Sequence, residues 1–108
     1  MMIRAALLAA ALIAFDFGLA HGADISAGGN LARTLCVNCH VVDPGAATQQ
    51  KMTVGIPSFQ AIAEKRGQTE DNLKLFILKP HAPMPEMQLT THELDNLAGY
   101  IMSLKGPR

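Results

Sequence analysis

Two thiols and an imidazole stand within five residues at Cys36-Val37-Asn38-Cys39-His40. The chemistry open to that spacing is covalent capture of a porphyrin. Each thiol adds across a vinyl group, and the adjacent imidazole then lies beneath the iron as its proximal ligand. C-x-x-C-H is the attachment signature of c-type haem. Cys36 and Cys39 are the only two cysteines among 108 residues, so none remains for a structural disulfide. The same pair could serve as a redox dithiol. That chemistry is expected in a βαβ setting, which is absent, and it would leave His40 without a role.

Iron held from one side needs a partner or an open site on the other. The stretch Pro80-His81-Ala82-Pro83-Met84-Pro85-Glu86-Met87 carries three prolines, which exclude helix and keep the backbone extended and stiff. A stiff strap suits a weak thioether donor, because a floppy loop would lose too much entropy on closing over iron. Met84, enclosed by Pro83 and Pro85, is the choice of distal ligand. Met87 is the nearest rival, three residues on, and His81 would give a bis-His site. An open distal position is the remaining alternative. Met52 and Met102 read as core fillers, and His92 as an exposed residue of a helix's first turn.

The elements that must position these groups read as helices and loops. Ser26 to Leu35 is expected to be a short helix leading into the cysteines, despite about 1 kcal/mol of lost propensity at each of Gly28 and Gly29. Val41 to Ile56, with Asp43-Pro44-Gly45 and Gly55, reads as a loop, since its Val-rich start has no second strand to pair with. Ser58 is placed as the N-cap of a helix bearing Phe59, Ile62 and Ala63 on one face, stopped by Gly67. Thr69 caps the next, with Leu73, Phe76 and Ile77 at core spacing and Pro80 at its end. In the last helix Thr90 and Glu93 form a capping box, with Leu89 and Leu94 at the staple positions. Leu94, Leu97, Ile101 and Leu104 continue its apolar stripe. The fold class is all-α, without internal repeats.

The first residues read as an export signal. Arg4 provides a positive start, Ala5 to Phe15 is apolar, and small residues follow at Gly18, Ala20 and Gly22. Asp16 interrupts the run well short of the ~20 residues a membrane span needs. The domain organisation is therefore 1–22 as a cleaved signal peptide and 23–108 as one domain without a stable membrane span. So small a domain struggles to bury enough apolar surface alone, and its aromatic residues are Phe59, Phe76 and Tyr100. A haem would supply the missing core, leaving the apoprotein poorly folded. Nine basic residues balance nine acidic ones, unlike a nucleic-acid-binding surface.

With these residues in view, the chain resembles the small bacterial monohaem class I c-type cytochromes. The resemblance runs from Gly28 to Leu104. It rests on Gly28-x₇-Cys36-x-x-Cys39-His40, on Val54-Gly55-Ile56-Pro57-Ser58-Phe59, on Met84-Pro85, and on Leu89-Thr90-x-x-Glu93-Leu94 followed by Leu97-Ala98-Gly99-Tyr100-Ile101. It implies a cytochrome c-like fold, short helices wrapped around one covalently bound haem c. It further implies thioethers at Cys36 and Cys39, with His40 proximal and Met84 distal to the iron. Pro57 matches the family's proline whose carbonyl accepts the proximal imidazole N–H. Gly28 would lie where the first and last helices cross, against Leu97 and Tyr100, with Gly99 widening that contact. The loop before Pro57 is longer than in compact members. No tryptophan is present for the propionates, which leaves Gln49, Gln50, Lys51 and Thr53 as polar candidates.

The function expected is that of a periplasmic, monomeric electron carrier, not an enzyme, meeting a redox-protein donor and acceptor by transient docking. Lys51, Lys65, Arg66, Lys74 and Lys79 are candidates to ring the exposed haem edge, or simply form a solvated surface. The alternatives are a haem subunit of a dehydrogenase or oxidase complex, and an open-site haem protein of gas-binding or peroxidase-like kind.

Overall fold

Helix α1, Ile25–Leu35, starts one residue before the expected Ser26, because the Asp24 carboxylate caps it by accepting the Ala27 N–H at 2.9 Å. The computed structural model describes residues 22–46, 55–79 and 81–107. The expected signal segment up to residue 21 lies outside the described residues, as do Gln49, Gln50, Lys51, Met52, Thr53 and Pro80. After α1 come a 3₁₀ turn at Pro44–Ala46, α2 at Phe59–Glu64, α3 at Glu70–Leu78 and α4 at Thr91–Ser103. The described residues contain no strand, and the fold is all-α.

Helix α4 is the centre on which α1, α2 and α3 pack. Its capping box forms as the sequence predicts. Thr90 Oγ1 accepts from the Glu93 N–H at 3.1 Å, and Glu93 Oε2 accepts from the Thr90 N–H at 2.8 Å. Leu94, Leu97 and Ile101 are buried, while Leu104 is half-buried at the C-cap. Asn96 is buried among them, which the stripe did not predict. Its Oδ1 accepts the Asp24 N–H at 2.8 Å, so the polar group is satisfied and fastens the start of α1 to α4.

The crossing of α1 and α4 depends on Gly28, Gly29 and Ala32, the buried positions of α1. A Cβ on Gly28 would collide with the Asn96 carbonyl oxygen and stand 2.9 Å from Tyr100 Cβ. The backbone of Asn96 therefore takes the place expected for Leu97, and only glycine lets the two helices come that close. Gly99 faces Ala23 and Ile25, where an added Cβ would meet the Ala23 methyl at 2.7 Å.

Ser58 and Thr69 cap α2 and α3, each hydroxyl accepting a backbone N–H at 3.1 Å from Ala61 and Asn72 respectively. Gly67, at φ +74°, makes the left-handed turn between the two helices. Helix α3 buries Leu73 and Ile77 and is tied to α4 by Lys74 Nζ–Asp95 Oδ1 at 2.7 Å. Phe76 is 53% exposed, contrary to its expected core position. At 100° per residue it stands about 60° to one side of Leu73 and 100° from Ile77, on the flank of the buried stripe. Among the described residues, no helix is long and apolar enough to cross a membrane.

Candidate functional site

The C-terminal end of α1 runs directly into the cysteine motif. Cys36 caps the helix by donating to the Ala32 carbonyl at 2.8 Å. Its own carbonyl then accepts from the Cys39 N–H at 3.2 Å and the His40 N–H at 2.9 Å. The motif is thus one further tight turn, and residues three and four apart on such a turn are neighbours. That places the two sulfur atoms and the imidazole on one short piece of backbone. Both thiols are free of a disulfide; Cys36 is half-buried and Cys39 exposed. Burial pushes the Cys36 thiol up to about 11. A dithiol redox centre needs the opposite shift, toward thiolate.

Pro57 stands opposite His40, with the imidazole Nδ1 2.7 Å from the Pro57 carbonyl oxygen. A carbonyl only accepts, so Nδ1 carries the proton and the lone pair of the neutral ring is on Nε2. The Phe59 ring lies 5.2 Å from the imidazole, tilted by 49°, and Phe59 is buried. Its N–H donates to the Val41 carbonyl at 3.0 Å. His40-Val41 and Pro57-Phe59 are therefore fastened twice, and the ring of His40 is held by a hydrogen bond on one nitrogen and packing on its side. Sequence reading placed Phe59 on the core face of α2 but missed its contact with His40.

On its far side the same segment is held by a polar group that the sequence did not signal. The Tyr100 hydroxyl lies 2.7 Å from both the Val42 carbonyl and Asp43 Oδ1. Arg33 grips Asp43 with both ends of its fork, Nε to Oδ2 at 2.9 Å and Nη2 to Oδ1 at 2.8 Å. Its guanidinium also sits 5.7 Å from the Tyr100 ring centre. Arg33, then Tyr100, hold the Asp43 carboxyl below its ordinary value, while burial, then Asp43, pushes the Tyr100 phenol up to about 12.

The proline strap runs from His81 to Thr90. The Met84 N–H donates to the His81 carbonyl at 2.8 Å, closing a turn across the cis Ala82–Pro83 peptide. Met84 and Met87 are both half-buried, so burial does not separate them; His81 is exposed. The His81 ring meets Phe76 edge-on at 5.7 Å, and Lys65 Nζ lies 5.7 Å from the centre of the same Phe76 ring. His92 is exposed, as expected. Lys65, Arg66 and Lys79 are exposed, whereas Lys74 is engaged by Asp95.

The residues present suit a large flat apolar group beside the cysteine turn. Leu35, immediately before Cys36, is 37% exposed, and Phe76, beside the strap, 53%. Leu35 offers apolar surface beside the turn, and the Phe76 ring, though met by His81 and Lys65, keeps half of its surface open. Together with two unpaired thiols and an imidazole whose Nδ1 is already committed, they fit a porphyrin attached through sulfur.

The chain is 34% identical over 93 residues to the protein named cytochrome c-552 of Bradyrhizobium diazoefficiens, an alignment that covers 86% of each chain. No protein-family model and no solved structure matches it.

Proposed function

The chain belongs to the small bacterial c-type cytochromes, and on that premise we propose that it is an exported one-electron carrier rather than an enzyme, with a closed, His/Met-ligated haem. Its cofactor is haem c with its iron. The bound haem supplies a single site that alternates between ferric and ferrous. Cys36 and Cys39 would hold it through thioethers, His40 would be the proximal ligand through Nε2, and Met84 the distal ligand. The Pro57 carbonyl keeps the His40 proton on Nδ1 and makes the ring a better donor. That 2.7 Å contact is the observation that carries the reading, since it readies one particular nitrogen of one particular histidine for a metal.

With both axial positions filled by side chains, small molecules are excluded from the iron, and what remains is outer-sphere electron transfer through an exposed edge. Met and His ligation raises the reduction potential, as does an apolar surround. Residues 1–22 are proposed as the cleaved signal, 23–108 as the mature domain, the periplasm as its place and the monomer as its state. Donor and acceptor proteins dock transiently.

The test uses protein matured in a host that attaches haem c. The ferric protein should show the long-wavelength charge-transfer band of a Met–Fe bond. Met84→Ala should lose that band with haem still attached, and Met87→Ala should keep it. If Met87→Ala loses the band instead, the distal assignment moves to Met87. A wild-type protein without the band, whose reduced form binds carbon monoxide rapidly, would replace the carrier reading with the open-site one. Amino-terminal sequencing of the periplasmic protein, expected to begin at Ala23, tests the signal.

A further inference from the structure

Arg33, Asp43 and Tyr100 come from three different segments: the last turn of α1, the chain just past His40, and the middle of α4. They form a chain of contacts, Arg33 to Asp43 and Asp43 to Tyr100, that ends where the Tyr100 hydroxyl meets the carbonyl of Val42, a residue only 2% exposed. Along this strip the ties change side once. His40 reaches Pro57, the Val41 carbonyl accepts from Phe59, the Val42 carbonyl accepts from Tyr100, and Asp43 is gripped by Arg33. The first two fasten the strip to the α2 side, the last two to the α1–α4 pair. The Pro57–His40 contact is thus spanned by a segment pinned at both flanks.

Ordinary stabilisation does not require this arrangement. A buried carbonyl needs one donor, and here the single Tyr100 O–H is shared between the Val42 carbonyl and Asp43 Oδ1, both at 2.7 Å. Asp43 adds a second acceptor for the same hydroxyl, and Arg33 then fixes Asp43 by a planar two-point grip, which sets orientation as well as distance. Tyr100 itself is buried, with its Cβ beside Gly28 and its ring edge beside Gly29. The hydroxyl therefore cannot move without moving the helix crossing.

We propose that the Arg33–Asp43–Tyr100 group is a positioning device for the axial imidazole: by fixing Val42 to the α1–α4 pair, it keeps His40 Nδ1 in register with the Pro57 carbonyl. These are positioning residues that act through His40, and the proposal rests on His40 being the proximal ligand. Loosening the strip lets the imidazole tilt away from Pro57, which weakens the hydrogen bond and makes the ring a poorer donor to iron. A less electron-rich ligand favours the ferrous state, so the potential rises.

The experiment compares Tyr100→Phe, which removes one oxygen and keeps the ring, with Arg33→Met in the holoprotein. The reference is Thr69→Ala, which removes the N-cap of α3 and changes no charge. Proton NMR follows the His40 Nδ1–H, and voltammetry the potential. In wild-type protein that proton should carry the displaced shift of an iron-bound imidazole; an undisplaced shift would remove the proximal-ligand reading itself, separately from the positioning claim. Given the displaced shift, exchange of this proton with solvent should be at least about tenfold faster in Tyr100→Phe and Arg33→Met, with a raised potential. Thr69→Ala should change neither. If the two variants lose thermal stability but keep the wild-type exchange rate and potential, or if Thr69→Ala matches them, the group is merely structural and the proposal fails.

Discussion

The close approach of α1 to α4 at Gly28 gives a sharp prediction about stability. In Gly28→Ala, the new Cβ would stand 2.6 Å from the Asn96 carbonyl carbon and nearer still to its oxygen. Ordinary van der Waals contact begins at 3.4 Å, so α1 and α4 must part by roughly 0.8 Å or more. The obstacle is backbone inside a helix and cannot turn aside as a side chain would. Overpacking of this kind costs about 1–3 kcal/mol, and an immovable carbonyl puts Gly28 at the upper end. Alanine returns about 1 kcal/mol of helix propensity, leaving a net loss of about 2 kcal/mol. For a domain of this size that lowers the melting temperature by roughly 8–16 °C. Gly29→Ala is the control. Its added Cβ meets the Tyr100 ring edge at 3.0 Å and the tip of Arg33 at 3.1 Å, groups that can give slightly. There the propensity gain offsets most of the strain, and the net change should stay within about 1 kcal/mol of zero. Helical circular dichroism during thermal and guanidinium unfolding of the holoprotein measures both. A Gly28→Ala protein as stable as wild type, or less affected than Gly29→Ala, would refute the close-crossing argument.

Thr90→Ala removes the hydroxyl half of the capping box and should cost about 1 kcal/mol in the same unfolding assay, with Thr90→Ser retaining most of it. In acid, Asp43 sets one slope. Its folded value lies below the ordinary 3.8, so its contribution is whole above 3.8 and is lost as pH falls through the lower folded value. Melting temperature should drop there less steeply in Asp43→Asn than in wild type. At the alkaline end the sign reverses, because the Tyr100 phenol is raised from 10.0 to about 12. Its contribution is whole below 10 and disappears as pH rises toward 12, so Tyr100→Phe should flatten the alkaline limb of the same profile. Cys36→Ser/Cys39→Ser, made without attached haem, should lose most of its helical signal at 25 °C. A cooperative melt like that of the holoprotein would contradict a cofactor-dependent core.

How far the sequence disclosed the fold varies with the kind of force involved. Helix α4 was legible because its signals are local: Thr90 and Glu93 lie three apart, and its apolar stripe repeats every turn. The Ser58 and Thr69 caps were legible for the same reason. Phe76 misled because a stripe of apolar residues says which side of a helix is greasy, not how wide the buried arc is. Leu73 and Ile77 already fill the contact with α4, and Phe76 is left facing the strap. The Arg33–Asp43–Tyr100 group was illegible, since its members stand 10 and 57 residues apart and nothing local marks them. Asn96 was hidden too, because a polar residue inside a stripe is readable as buried only once its partner, the Asp24 N–H, is known. For the candidate site, the attachment turn followed directly from Cys36, Cys39 and His40. Pro57 entered only through family resemblance, because it stands 17 residues on from His40 and the segment between them carries no pattern that would bring them together.

The two sides of the proposed axial pair are held very differently, and that difference bears on electron transfer. His40 is fixed by Pro57, buttressed by Phe59 and continuous with a strip tied to both long helices. The strap is steadied by its own turn, from the Met84 N–H to the His81 carbonyl, by the edge contact of His81 with Phe76, and by the stiffness of its prolines. A thioether binds iron weakly, so a strap that had to be ordered afresh on each binding would not hold it. Proline makes that ordering largely a property of the chain before any bond forms. The proposed strong ligand, His40, is thus secured by tertiary packing and the proposed weak one, Met84, by local backbone chemistry. If both hold iron as proposed, a change of one charge there would leave little for the protein to rearrange.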